Sequence, residues 1–514
     1  MRRFWFAAVL CAIVFLAQSS LFFILPSLGS GVFLSPDETA VATSARVFGQ
    51  QANMRIEDKL LTEGPWIHPR SYVTQGSAMV PVGFLGLPLV LSAVWRLAGD
   101  WGLAMFVPLL VMSAGFPLWR LLRRFGPYAA AIAVTIWLSF PTVILYANRG
   151  LFPNLAALCF VLWGIFFLTE RKSLWWTMTA GFCAGVAVAI RPTEVIWIVP
   201  WFWFAWSLKP STTKLRFVSF GAAAAFPCLL AAFAAWTTYG SPFTIGYWLR
   251  DPVVMAATGV VTNAATHLWP FGLHPRNVWF NLRWYVFSFI GPWTVVILIA
   301  LAQHVKNKKS WKLIGVCLWT IASLAVLYGE AIYQDHVGVN VVSLGNSYLR
   351  YLIPLAAISA LAAAALVAWL ERRLGQTRGR GVAVCGAFLL AITGASIAIQ
   401  SSGEGVLAGN RELQRYVLIR QTTLNQFGPQ AIIVSERSDK IFFPTFRVAT
   451  PVPDFETLRP LVANAPVPTL LFTETLDGGE QAMWSAEGFL LRPVFRTENQ
   501  TLYEMYPHAT STQP

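Results

Sequence analysis

The sequence predicts a polytopic α-helical membrane protein with about eleven transmembrane helices, a large first outer loop carrying juxtamembrane helices, and a small C-terminal α/β soluble domain. Three observations predict this. Hydrophobic residues make up 56% of the 514 positions and charged residues only 12%. Mean hydropathy is +0.56. The cations gather in short clusters between apolar runs, as the positive-inside rule expects of loops kept on the cytoplasmic side. That clustering also accounts for the net charge of +14 and argues against a nucleic-acid partner. All six cysteines lie inside apolar runs without zinc-site spacing, so neither disulfides nor a structural metal is expected.

Met1-Arg2-Arg3 precedes an apolar run over 4–25, which is long for a signal peptide and right for a span. With Ala17-Gln18-Ser19 a poor cleavage site, it is read as an uncleaved helix. Further crossing segments are expected at 101–119, 128–147, 151–169, 174–190, 194–208, 216–238, 284–303, 311–330, 350–370 and 381–400. The cationic clusters at 120–124, 171–172, 209–216, 306–312 and 372–380 take the cytoplasmic side with the N-terminus. Everything after Gln400 then faces outward, as do the loops after Leu25, Ala147, Ile190, Thr238 and Glu330. An odd number of crossings must separate Asp37, outside, from Arg120, inside. The stretch 78–98, interrupted by Pro81, Gly83, Gly86 and Pro88, is therefore read as a re-entrant or surface-lying element. Twelve crossings with one cationic cluster on the other side is the alternative.

Two units follow. Residues 1–401 form a transmembrane domain with outer loops at about 26–100 and 239–283. Residues 402–514 form the soluble outer domain, with a polar helix near 411–426 and short strands at 431–434, 469–472 and 501–503.

The tetrad Ser35-Pro36-Asp37-Glu38 places two carboxylates just beyond the first span. Ser35 suits an N-cap, Pro36 the first helical position and Glu38 the acid of a capping box, so the motif reads as the start of an interfacial helix. A catalytic carboxylate pair is the second reading of the same residues. Ionisable groups otherwise sit at span edges (Glu194, Arg216, Glu330, Arg350) rather than at span centres. A lipid-linked substrate transporter would usually need charges or helix breaks near the midplane. That reading and a membrane-anchored assembly protein remain as alternatives to an enzyme.

The layout resembles the GT-C superfamily of integral-membrane glycosyltransferases, in the branch of protein O-mannosyltransferases and lipid A aminoarabinose transferases. The resemblance lies in the acidic pair Asp37-Glu38 and in His68-Pro69 further along the same loop. It continues in the small-residue span 181–191 ending at Arg191, and in the run Arg350-Tyr351-Leu352-Ile353-Pro354 that opens a late span. It implies transfer of a sugar from a polyprenyl-phosphate donor to a protein, glycan or lipid acceptor, with inversion, on the outer face of a bacterial inner membrane. Asp37, with Glu38 beside it, is the catalytic candidate, as base for the acceptor hydroxyl. Arg191 and Arg350 are the candidates for the donor phosphate, and snorkelling to lipid headgroups is the plainer reading of both. His68, Arg70 and Tyr351 are the substrate-binding candidates.

Two departures matter. Relatives often carry His-Pro-Pro where this chain has His68-Pro69-Arg70, so the sugar is not carried over. They also often place an acid near the short outer turn, where this chain has Asn148 and Asn154. No cofactor is therefore assigned, and a divalent metal stays open.

Overall fold

The computed structural model describes residues 31–62, 64–170, 173–208, 213–249, 274–305, 307–333, 342–464 and 467–507. The expected first span at 4–25 and most of the second outer loop (250–273) lie outside these residues.

Helix α1 (Pro36–Gln51) begins as its sequence dictates: Ser35 is extended and accepts the Glu38 N–H at 3.2 Å, with Pro36 in the first turn. The expected capping box does not close, because the Glu38 carboxylate turns to Arg149 instead. Strands β1 (Ile56–Glu57), β2 (Tyr72–Gln75) and β3 (Ala78–Pro81) form an antiparallel sheet in the order β1-β3-β2. The element expected at 78–98 is thus divided into a strand and the start of α2 (Gly86–Leu122). At 1.5 Å per residue the 37 residues of α2 run about 55 Å, nearly twice a hydrocarbon core of ~30 Å. Gly99 breaks it at φ 60°, ψ −151°, a conformation essentially closed to other residues. The portion before the break lies along α1, where Arg96 donates to the Gly49 carbonyl, and just past the break Asp100 accepts from Arg46 at 2.9 Å and from the Trp95 indole at 3.1 Å.

The bundle continues through α3 (Pro127–Ser139), α4 (Pro141–Asn148), α5 (Pro153–Glu170), α6 (Leu174–Ile190), α7 (Val195–Ser207) and α8 (Lys214–Tyr239). Next come α9 (Pro275–Asn281), which runs on as a π-helix through Phe289, then α10 (Gly291–His304), α11 (Trp311–Gly329), α12 (Ser347–Tyr351), α13 (Pro354–Leu374) and α14 (Gln376–Gln400). Six described helices (α2, α5, α8, α11, α13 and α14) are long and apolar enough to cross a membrane, or nine spans if each of three bent pairs counts as one. The three bent pairs fall on expected crossing segments: 128–147 turns by 56°, 284–303 is broken in a 92° turn, and 174–190 meets 194–208 at a 120° bend. Each break carries a proline in the first turn of the new segment (Pro141, Pro292 and Pro192), where the missing N–H costs no helical bond.

Helix α8 leaves Leu215, Phe217, Val218, Phe226, Leu229 and Phe233 exposed, a surface suited to lipid. Its other side lies close against α6. A methyl group added to Gly181 would collide with the carbonyl of Phe220, and one on Gly185 with that of Ala224. The small residues ahead of Arg191 are therefore a close-packing seam of the Gly-x-x-x-Gly kind.

The C-terminal region holds α15 (Val406–Phe427), β4 (Ile432–Ser435), α16 (Asp439–Phe442), β5 (Arg447–Ala449), α17 (Phe455–Asn464), β6 (Thr469–Glu474), α18 (Gly478–Ala486), β7 (Phe489–Arg496) and β8 (Gln500–Pro507). Its sheet order is β5-β4-β6-β8-β7; β4 runs parallel to β5 and β6, and β8 antiparallel to β6 and β7. This sheet shares an apolar core with the first outer loop, in which Val32, Ile67 and Tyr72 pack with Leu413, Phe442 and Phe472. Arg70 meets Asp439 at 2.8 Å and Arg447 meets Asp58 at 2.6 Å across the same junction.

Gly185→Val should push α6 and α8 apart at a cost of about 1–3 kcal/mol, read as a lower Tm of the full chain in detergent. Gly221→Val, whose added carbon meets nothing, should change Tm little. Arg70→Ala strands a carboxylate that is fully buried, and should destabilise docking of the C-terminal sheet by about 3–5 kcal/mol. Adding Asp439→Ala should restore part of that loss, measured by limited proteolysis at residues 402–431.

Candidate active site

Four of the expected site residues line one cleft: Asp37, Arg70, Arg191 and Arg350. It encloses about 730 Å³ of empty space, open solvent included. Asp37 stands in the first turn of α1, half exposed, and accepts a hydrogen bond from the Ser71 hydroxyl at 2.9 Å. Across the cleft the Arg350 guanidinium lies 3.7 Å from its other carboxylate oxygen.

The arginines come from three chain breaks. Arg149 caps the C-terminal end of α4, Arg191 that of α6, and Arg350 lies in the last turn of α12. Each residue stands at the C-terminal end of a helix, where a cation is favoured. Aromatic rings keep these like charges apart. Phe152 lies 4.8 Å from the Arg149 guanidinium carbon and 4.5 Å from that of Arg350. Tyr351 lies 5.4 Å from Arg350 and 5.2 Å from Arg191, and Phe84 5.7 Å from Arg191. Tyr351 is itself stacked on Tyr328 at 4.1 Å, so the ring between the two arginines is held from behind.

Two of these guanidiniums are neutralised in place. Arg149 donates to the buried carboxylate of Glu38 at 2.9 and 3.3 Å. Arg191 donates to Glu194 at 3.1 Å and to the Tyr328 hydroxyl at 3.0 Å. Glu194 in turn accepts from Asn154 and from the Trp197 indole. Arg350 is different: it donates to Ser347 at 3.2 Å, meets Asp37 only at long range, and its Nε has no acceptor among the described residues. Arg350 thus holds the least neutralised positive charge facing the cleft.

Arg70 reaches the cleft while clamped from the C-terminal region. Asp439 accepts its backbone N–H at 2.9 Å, its Nε at 3.0 Å and its Nη2 at 2.8 Å. The next residue is Ser71, which orients Asp37, so the C-terminal region fixes the backbone that positions this carboxylate. Lys440 beside it lies over the Tyr416 ring, and burial with the charges of Arg70 and Arg149 lowers its ammonium to about 8.

Other sequence candidates fall elsewhere. Glu38 lines a neighbouring cavity with Arg149. His68 is outside the cleft, its Nδ1 3.0 Å from the Pro69 carbonyl. Tyr351 packs behind the arginines rather than on the cleft wall. Among the described residues no group of three His, Cys, Asp or Glu side chains converges to hold a metal ion.

The structure adds Ser71, Phe84, Phe152 and Tyr247 to the site. Tyr247 enters the cleft on the turn Gly246–Trp248, which sits so tightly on the Pro81 and Val82 carbonyls that only glycine fits at 246. Burial, then the charge of Asp37, push its phenol up to about 12, which keeps it a hydrogen-bond donor at neutral pH. No sequence signal marked these residues beyond their placement in the expected outer loops.

No family model matches the chain, and no curated protein does. Among solved structures it is similar to ArnT from Cupriavidus metallidurans in the apo state, at 14% identity and a TM-score of 0.55 over 97% of this chain and 98% of that one. It is also similar to ArnT from the same organism bound to undecaprenyl phosphate, at 14% identity and a TM-score of 0.50 over 96% and 97% of the two chains. ArnT is a lipid A aminoarabinose transferase of the GT-C kind, and the likeness covers membrane helices and C-terminal region alike; the chain therefore has the GT-C fold of a multi-pass membrane protein.

Proposed function

We propose that the chain is a glycosyltransferase that moves a sugar from a polyprenyl-phosphate donor to an acceptor hydroxyl on the outer face of a bacterial inner membrane. The observation that carries this reading is the juxtaposition of Asp37 and Arg350 across one cleft, with Arg191 on its wall. The fold it shares with ArnT, one structure of which holds undecaprenyl phosphate, supports a donor of that class.

The chemistry follows from these groups. The acceptor oxygen attacks the anomeric carbon while Asp37 takes its proton as general base. The bond from the anomeric carbon to the phosphate oxygen breaks with its electron pair left on that oxygen, and the sugar inverts. The lipid phosphate leaves as an anion, so no strong general acid is needed; positive charge waiting at its oxygens lowers the barrier. Arg350, with its unpaired Nε, supplies that charge, and Arg191, held by Glu194 and Tyr328, supports it. Ser71 holds Asp37 toward the acceptor side, and the Tyr247 hydroxyl donates to sugar or phosphate oxygens. Arg70 lies where it reads the sugar or acceptor. Glu38 serves the site by fixing Arg149, and the acceptor is a hydroxyl of a protein, glycan or lipid.

In nanodiscs with radiolabelled polyprenyl-phosphate sugars and membrane extract, Asp37→Asn should cut transfer by about 10²–10⁴-fold while leaving polyprenyl-phosphate binding intact. Transfer unchanged by that substitution sinks the base assignment, and no transfer from any donor removes the enzyme reading. Arg350→Ala should weaken polyprenyl-phosphate binding by about 10–100-fold, with Arg350→Lys recovering only part, since an ammonium cannot grip two oxygens in a plane. Running the assay with EDTA decides whether a divalent metal takes part.

A further inference from the structure

A second cavity, enclosing about 1400 Å³ of empty space, open solvent included, lies inside the helix bundle away from the cleft. Along α5 its lining runs from Leu158 to Glu170, twelve residues or about 18 Å, close to the depth of one bilayer leaflet. Its walls are apolar, with Leu162, Ile165, Trp201, Phe204 and Ile358 among them. The polar groups of the walls are already satisfied: the Trp201 indole donates to Thr320 at 2.9 Å, Thr320 to the Val316 carbonyl at 2.8 Å, and the Trp197 indole to Glu194 at 3.1 Å. Such walls offer an occupant dispersion contacts and no hydrogen bonds.

One end is charged. Arg120, Arg123 and Arg124 line it with Glu170 as the only acid among the described residues, and Arg120 donates to that acid at 3.1 Å. Arg123 and Arg124 rest against rings, over Trp119 at 6.0 Å and Phe125 at 5.5 Å, and neither has an ion pair among the described residues. Three guanidiniums against one carboxylate make this mouth attract an anion. It also lies at the opposite end of α5 from Asn154, which lines the catalytic cleft, about 24 Å away along the helix. A donor phosphate held at Arg191 and Arg350 therefore does not put its charge here.

We propose that this cavity binds one acyl chain of an anionic phospholipid, whose phosphate is held by Arg123 and Arg124. The chain enters from the cationic side and ends beside Trp197. Through the Trp197, Glu194 and Arg191 hydrogen bonds, its inner end abuts the support of a cleft arginine. This inference does not depend on the glycosyltransferase reading.

The test uses the full chain in nanodiscs with phosphatidylglycerol carrying a diazirine at the end of one acyl chain. Photolysis and peptide mass spectrometry should place the label in residues 158–165 and 197–205, several-fold more strongly than with phosphatidylcholine bearing the same group. Arg123→Gln with Arg124→Gln should reduce that label by about twenty-five-fold, roughly fivefold for each guanidinium lost. Ala205→Trp, which fills the cavity, should abolish it. Should that variant fail to fold, the arginine pair carries the test. Equal labelling by both phospholipids, or labelling indifferent to the arginine pair, overturns the proposal. So does labelling of these peptides by a diazirine-bearing polyprenyl phosphate but not by phosphatidylglycerol.

Discussion

The cleft depends on alternating guanidinium and aromatic ring: Arg149, Phe152, Arg350, Tyr351, Arg191 and Phe84 follow one another at centroid distances of 4.5–5.7 Å. Three like charges in a weakly solvated site repel strongly unless something polarisable with a negative face stands between them. The rings do this without neutralising the charges, as carboxylates would. Buried acids are then added only where full neutralisation is needed, Glu38 at Arg149 and Glu194 at Arg191. The outcome is one site with graded positive charge rather than a set of ion pairs.

That alternation requires the backbone to deliver arginines from distant segments to one level. Proline-marked breaks and close helix contacts achieve it. The 120° turn at Pro192 leaves Arg191 at the end of α6, and the 56° turn at Pro141 lets α4 end at Arg149. The glycine seam between α6 and α8 fixes the height of α6, and Gly86 packs so closely on the Ala189 carbonyl that α2 begins beside Arg191. Helix polarity sorts the charges in the same sense, with Asp37 and Glu38 at the start of α1 and the arginines at helix C-termini.

Much of this was legible in the sequence, for local reasons. The apolar runs marked α2, α5, α8, α11, α13 and α14, because a membrane imposes length and composition on each span separately. Ser35-Pro36 marked the start of α1, and its carboxylates and Arg191 and Arg350 stood out as charges at span edges. The bend in 284–303 was not legible: Gly291-Pro292 is compatible with a membrane helix as well as with a 92° turn, and packing decides between them. Nor were Ser71, Tyr247 and Asp439. Each is an ordinary loop or soluble-domain residue whose role comes from a partner far away in the chain, 34 residues for Ser71 with Asp37 and 369 for Asp439 with Arg70. The apolar core shared between the first outer loop and the C-terminal sheet was hidden for the same reason.

The unequal neutralisation of the arginines bears on how a phosphate would be handled. Separating a buried pair such as Arg191 and Glu194 leaves two uncompensated charges and costs about 3–5 kcal/mol, so Arg191 is poorly suited to exchange partners during a reaction. Arg350 meets Asp37 at 3.7 Å, beyond hydrogen-bonding distance, and an arriving anion can take up that charge without breaking a good bond. In the proposed reaction the arriving phosphate takes the place of Asp37 at Arg350, and Asp37 is left to Ser71 and the acceptor hydroxyl. Donor binding and release of Asp37 from Arg350 would then be one event, governed by a single loose contact.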